Sequence, residues 1–495
     1  MNRIAQIFCF LLLVNFLNAQ TINDALRYSF LELGGGTART IGLGGSMGAI
    51  GADYATLSTN PAGLAMYRSS EFVITPAFQV NRTQSILAGP NNASNSENAN
   101  DFSLSNIGVV LASQPIASKW KSMNFGIGMN KLANFSQEFT YSGTTKGSIV
   151  DRWLEFADGF SPDELYPYEE GLAYETGAIF PIEEGSVFYS SDFEGVPNAD
   201  VKRSQTVRTD GKYNEMVLSL GGNYNNKFMY GLTVGLPFIQ YSEQKVYTEE
   251  NNDEESIPFF RELVFEENLL TTGFGINAKF GVIYRINQMF RLGASIHTPS
   301  AISLTDRWDT ALRYDYAFFD DEGEPVRSNL REEEPAGEPY EYKLRTPMRA
   351  MISGAAIIKR SGFITAEVEF VDYSNSNFSL GEFDRDYQET LNQEINDAFT
   401  SAINFRLGGE YVYEKFQFRA GYGIIGTPYA NGDTNTTYSL GVGFRQKKFF
   451  LDFAYKGLKR DDTYIPYRLA SASAEQIVSN EGSANRYILT LGFRF

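Results

Sequence analysis

The sequence predicts an all-β protein, a transmembrane antiparallel β-barrel of roughly fourteen strands. Three observations predict it: apolar residues alternating with small or polar ones, connections that alternate short and long, and a last strand that ends on phenylalanine. No helix-period stretch of any length is read, and after the N-terminus no apolar run is long enough for a membrane helix.

Composition sets the class. The 495 residues include 45 Gly, 39 Phe and 29 Tyr against 17 Pro and one His, an aromatic chain punctuated by glycine. A mean hydropathy of −0.27 does not oppose a barrel, whose strands are apolar on one face only. The net charge of −18 excludes a nucleic-acid partner, which needs clustered Lys and Arg.

The chain opens "MNRIAQIFCFLLLVNFLNAQ", the layout of a secretory signal peptide over 1–19 with Gln20 as mature start. The run from Ile4 to Leu17 is too short to span a bilayer as a helix. Cleavage removes Cys9, the only cysteine, so the mature chain is expected to carry no disulfide.

Alternation places the strands. Phe228, Tyr230, Leu232, Val234, Leu236 and Phe238 share one face, and Met229, Gly231, Thr233, Gly235 and Pro237 the other. Phe274 to Tyr284 repeats the pattern. Strands are expected near 70–82, 101–113, 121–141, 212–225, 227–242, 268–286, 288–305, 343–358, 362–375, 401–413, 415–427, 435–446, 448–459 and 484–495. Between them, short links such as "NN", "NQ", "KRSG", "EK" and "QKK" alternate with long segments at 142–211, 243–267, 306–342, 376–400 and 460–483. Tight turns on one rim and long loops on the other are the construction of an outer-membrane barrel. A soluble β-sandwich also alternates, but its outer face would be a solvated charged mixture, not aromatic. The last strand, "NRYILTLGFRF", resembles the C-terminal signal read by the bacterial barrel assembly machinery, with Phe495 terminal.

The long segments are acidic, as in "TEENNDEES" and "REEEPAGEPYE", which suits a solvated extracellular rim. Divalent cations shared with lipopolysaccharide are the sharper alternative, although no calcium-loop spacing is present.

Enzymatic motifs are weak. Gly44-Gly45-Ser46-Met47-Gly48 satisfies the nucleophile-elbow pattern and His297 follows it, but no buried strand precedes the serine. One His and no mature Cys exclude the usual zinc sites. Charged residues on the polar strand faces carry more information: Arg291, His297, Glu367, Glu369, Arg406, Glu410, Arg419 and Arg445 are candidate lumen-lining residues. Ionisable groups at membrane depth face a wet cavity or pair with each other, because lipid exposure costs roughly 2–4 kcal/mol.

"GLGGSMGAIGADYATLSTNPAGLA" followed by a first strand resembles the start of the FadL family of outer-membrane transporters for long-chain fatty acids and aromatic hydrocarbons. "FRLGASIHTPSAISL", "RTPMRAMISGAAI" and "ITAEVEFVDYSN" resemble that family's strand and turn segments. The resemblance implies an N-terminal hatch over 20–68 inside a barrel formed by 69–495, with Asn60, Pro61, Ala62 and Gly63 as its turn. It further implies passive uptake of a hydrophobic small molecule, with no cofactor, no metal and no catalysis, by a monomer among outer-membrane lipid and lipopolysaccharide. Alternatives are an interaction platform or secretion-system shuttle that docks an exported protein, as in the type IX system, and haem uptake, which a lone histidine weakens.

Overall fold

A computed structural model describes residues 20–31, 35–116, 118–196, 199–251, 257, 259–319, 325–381, 384–430, 432–469 and 475–495. The expected signal peptide, with Cys9, lies outside the described residues.

Fourteen strands form one closed antiparallel barrel. They are β1 (Glu71–Leu87), β2 (Asn95–Ser113), β3 (Trp120–Asn134), β4 (Asp200–Tyr224), β5 (Phe228–Asn251), β6 (Phe260–Arg285) and β7 (Phe290–His297). The ring continues with β8 (Arg349–Ile358), β9 (Gly362–Asp372), β10 (Ser401–Tyr413), β11 (Phe416–Ile425), β12 (Asn435–Arg445), β13 (Phe449–Tyr464) and β14 (Val478–Arg494). Each pairs with its successor, and β14 pairs with β1 through Phe72↔Phe493 and its neighbours, which closes the sheet. Closure leaves no open edge to shelter from lipid.

The outward face is apolar and exposed. Phe228, Tyr230, Leu232 and Phe238 on β5 stand beside Phe274, Ile276, Phe280 and Tyr284 on β6, all outside the ring. A belt of this kind is what hydrocarbon covers in a membrane-spanning barrel. Among the described residues no helix is long and apolar enough to cross a membrane.

The strands run further than their alternation suggests. β4, β5 and β6 are 25, 24 and 26 residues long, whereas about 9–11 suffice to span a bilayer. Both ends of 142–211 and much of 243–267, expected as loop, are therefore ladder: Val201 still pairs with Asn251. Beyond the lipid both faces meet water or a cap, so the apolar alternation fades while backbone pairing persists. Likewise 306–342 holds most of a strand at Ala301–Phe319 and another at Pro325–Glu334, and 460–483 holds the outer ends of β13 and β14.

Three segments expected as single strands are interrupted. The 121–141 stretch breaks between β3 and Gln137–Lys146, 288–305 breaks at 298–300, and 343–358 breaks at 346–348. Pro299 and Pro347 lack the N–H a ladder needs. The two proline breaks face each other: Ser300 N–H donates to Thr346 Oγ1 at 2.9 Å, and Thr346 N–H to Ser300 O at 3.1 Å.

Among the described residues five α-helices accompany the barrel: α1 (Ile22–Ser29), α2 (Ala38–Gly42), α3 (Val150–Ala157), α4 (Glu170–Glu175) and α5 (Arg385–Ala398). The sequence reading missed them. In α5 only Leu391 and Ile395 are buried, a stripe too narrow for helical periodicity to stand out.

The inward face of β4 displays the axial order. Val201 packs in a cluster with Trp153 and Leu172 of α3 and α4, which cap the long-loop mouth. Tyr213 packs with Ala25, Leu26 and Tyr28 of α1 and with Leu391 and Ile395 of α5. Glu215 reaches a cavity, and Val217 packs with Tyr54, Leu57 and Leu64 near the opposite rim.

Candidate functional site: the N-terminal segment and the lumen

Residues 35–67 form a compact run of short turns: α2, capped by the Thr37 hydroxyl, and 3₁₀ turns at Tyr54–Leu57 and Pro61–Met66. Asp53 binds them together, accepting from the Thr37 hydroxyl at 2.8 Å, the Thr40 hydroxyl at 2.9 Å and the Ala55 N–H at 3.0 Å.

This run bonds to strands all round the ring. Ala38 N–H donates to Thr490 of β14 at 2.8 Å, Gly44 N–H to Ser439 of β12 at 3.1 Å, and Gly48 N–H to Glu367 of β9 at 3.0 Å. Thr233 of β5 donates to Leu57 O at 2.8 Å, Asn124 of β3 to Leu64 O at 2.8 Å, and Tyr54 to Ile107 O of β2 at 3.2 Å. Backbone reaches backbone where the wall is glycine: a Cβ on Gly231 would lie 2.1 Å from the Pro61 carbonyl carbon, and one on Gly421 2.1 Å from Gly44 N.

Asn60, Pro61, Ala62 and Gly63 are buried. Asn60 Oδ1 accepts from Ala62 N–H at 3.1 Å, while its Nδ2 donates to Gly48 O at 2.7 Å and Val282 O of β6 at 3.3 Å. Proline suits the first turn position, where its absent N–H costs nothing.

Seven of the eight charged candidates meet this segment or one another, and Arg445 meets Asp452 of β13. His297 Nε2 lies 2.7 Å from Thr59 O, and Arg291 donates to Ile50 O at 3.2 Å. Arg406 bridges Glu367 at 2.9 Å and also Glu369, which Arg349 reaches at 3.1 Å. Arg419 joins Glu410 at 2.7 Å to Asp452 at 2.8 Å, and Arg445 approaches Asp452 at 3.3 Å. Ser46 Oγ sits 3.2 Å from Thr365 Oγ1, so the serine and His297 of the elbow pattern have separate partners.

Sequence reading missed Lys131, Glu215, Lys279 and Arg349. Glu215 takes Lys279 as its ion-pair partner and accepts from Asn277 at 2.9 Å and Ser58 at 3.1 Å. The signal was present: both lie on polar strand faces, selected by the rule that selected Glu367.

One cavity adjoins the segment and another lies in the wall. A central one of about 180 Å³ lies between α1 and residues 40–59, lined by Tyr28, Leu31, Ile41 and Met351 but also by Lys131, Glu215, Lys279, His297, Arg349 and Arg406. A second, of about 350 Å³, lies in the wall beside β2 and β3 and is lined by Phe102, Leu104, Met129 and Lys131. There the β2–β3 ladder spans only Asn106–Ser113, while β2 stays paired with β1 out to Asn95. Side chains bridge the gap instead: Asp101 accepts from Asn134 at 2.9 Å and faces Lys131 at 3.7 Å.

This closed fourteen-strand barrel, apolar outside and polar within around its N-terminal segment, shares its fold with FadL-type outer-membrane barrels. Solved structures sharing it include a Pseudomonas aeruginosa FadL homologue, at 12% identity and a TM-score of 0.54 over 93% of this chain and 100% of that one. Another is the toluene transporter TodX of Pseudomonas putida, at 12% identity and a TM-score of 0.51 over 94% and 99%. No protein-family model and no curated protein matches the sequence.

Proposed function

We propose that the chain is a channel of the bacterial outer membrane for passive uptake of hydrophobic small molecules, long-chain fatty acids or similar apolar compounds. Residues 20–68 act as its hatch, with Asn60 to Gly63 as the turn that seats it. One observation carries the reading: Lys131 lines both the central cavity and the gap in the wall, so a single side chain and its contact with Asp101 part the lumen from the β2–β3 opening. A guest in the central cavity leaves sideways when that contact yields, or downward when the hatch shifts. No energy source enters the scheme. The FadL homologue supports it by fold, and TodX by fold and by its name as a toluene transporter.

The test is uptake of labelled oleate into liposomes containing the full-length protein, a Lys131→Ala variant and a variant lacking 20–68. Transport above protein-free liposomes, faster in both variants, is expected; no transport by any of the three refutes the reading.

A second reading, a platform that docks an exported protein, draws on the cap. Phe160, Phe180, Ile182 and Phe188 are exposed there, amid Asp158, Glu183 and Glu184. Recovery of a stoichiometric protein partner in mild detergent, from a protein that carries no lipid, favours it.

A further inference from the structure

Arg285 and Arg291 stand directly opposite each other at the β6–β7 turn, and both side chains point into the lumen. Like charges so placed repel, and proteins ordinarily set a carboxylate between them. This barrel does so elsewhere: Arg349, Arg406, Arg419 and Arg445 each have a carboxylate within 3.3 Å. Among the described residues no ion pair holds either member of the Arg285–Arg291 pair. Arg291 gives one N–H to Ile50 O at 3.2 Å, and Arg285 lies 4.0 Å from the Met66 sulfur. The Nε of each is buried and unpartnered. Arg68, exposed at the end of the hatch, adds a third positive charge within electrostatic reach.

We propose that Arg285 and Arg291 form an oxyanion seat at the hatch's exit to the short-turn rim, and that its occupant is the carboxylate of an amphipathic acid leaving the lumen. The inference rests on the uptake reading and narrows it from apolar compounds in general to chains with an acidic head. Two guanidinium forks offer planar, charge-assisted donors that match a carboxylate. A neutral hydrocarbon or alcohol gains nothing from them. Ile50 and Met66, at two ends of the hatch turns, touch the same pair, so a guest reaching it meets the segment that has to move.

Binding of laurate and of dodecanol to the detergent-solubilised full-length protein at pH 8 tests this, with Arg285→Gln/Arg291→Gln and Arg285→Lys/Arg291→Lys double variants. Folding of each is checked by heat-modifiable mobility. Wild type is expected to favour laurate over dodecanol by about tenfold. The Lys pair should keep most of that preference and the Gln pair lose it, with dodecanol binding unchanged. Equal binding of both ligands by wild type, or a preference surviving in the Gln pair, overturns the seat while uptake stands. Failure of both ligands to bind wild type removes the uptake reading itself. Displacement of laurate by millimolar acetate would mark a site for free small anions and also overturn the proposal.

Discussion

Arg39 of the N-terminal segment lies 3.2 Å from Glu410 of β10, and the same carboxylate takes Arg419 at 2.7 Å. One acid therefore ties the N-terminal segment to the wall and holds the wall to itself. Removing one member of a buried pair strands its partner's charge, at about 3–5 kcal/mol. Glu410→Gln strands two guanidiniums and is expected to cost more stability than Arg39→Gln, measured by urea unfolding in lipid. Both should raise single-channel conductance in planar bilayers, since both free α2. Unaltered conductance in both would separate this contact from gating.

Gly231→Ala places a methyl where the Pro61 carbonyl carbon would be 2.1 Å away, against backbone that cannot rotate aside. The barrel should still assemble, but the Asn60–Gly63 turn should be displaced, exposing Arg39 to trypsin. Wild-type protection of that site would show that the wall yields instead.

Asn60→Ala removes one acceptor and two donated bonds of the Asn60–Gly63 turn. Leaving buried partners unsatisfied costs about 1–3 kcal/mol each, more than an ordinary cap substitution. Faster hydrogen exchange confined to 48–66 is expected, with the strand ladders unchanged.

Glu170, buried in the outer cap, has its carboxyl pushed up to about 7 because burial disfavours its charge. One oxygen accepts from Tyr166 N–H at 3.1 Å and the other is buried without a partner. With an ordinary value of 4.5 in the unfolded chain, the folded cap binds more protons between about 4.5 and 7, so its stability falls as pH rises through that window. Protection factors over 166–176 should be higher at pH 5 than at pH 8, and Glu170→Gln should flatten the difference. A flat wild-type profile would refute it.

Alternation around Phe228 and Phe274 made the membrane strands legible, because lipid on one side and lumen on the other write opposite chemistries on successive residues. The same contrast singled out Glu367, Glu369, Arg406 and Arg419. It failed outside the bilayer, where 142–211 reads as loop although β4 begins at Asp200. It failed also at α5, whose two buried residues make too weak a period.

The sequence by itself determined the strand number, the direction of each membrane face and the glycines and Asn-Pro turn that let a backbone press against a wall. Those are local properties, written by the solvent each residue meets. Only the tertiary structure decided who pairs with whom: that Lys131 lines two cavities, that Glu410 takes an arginine 371 positions away, and that Arg285 faces Arg291 with no ion-pair partner for either among the described residues. Side-chain partners in a closed barrel are set by register and by the path of the segment inside it, and both are long-range outcomes that no window of sequence contains.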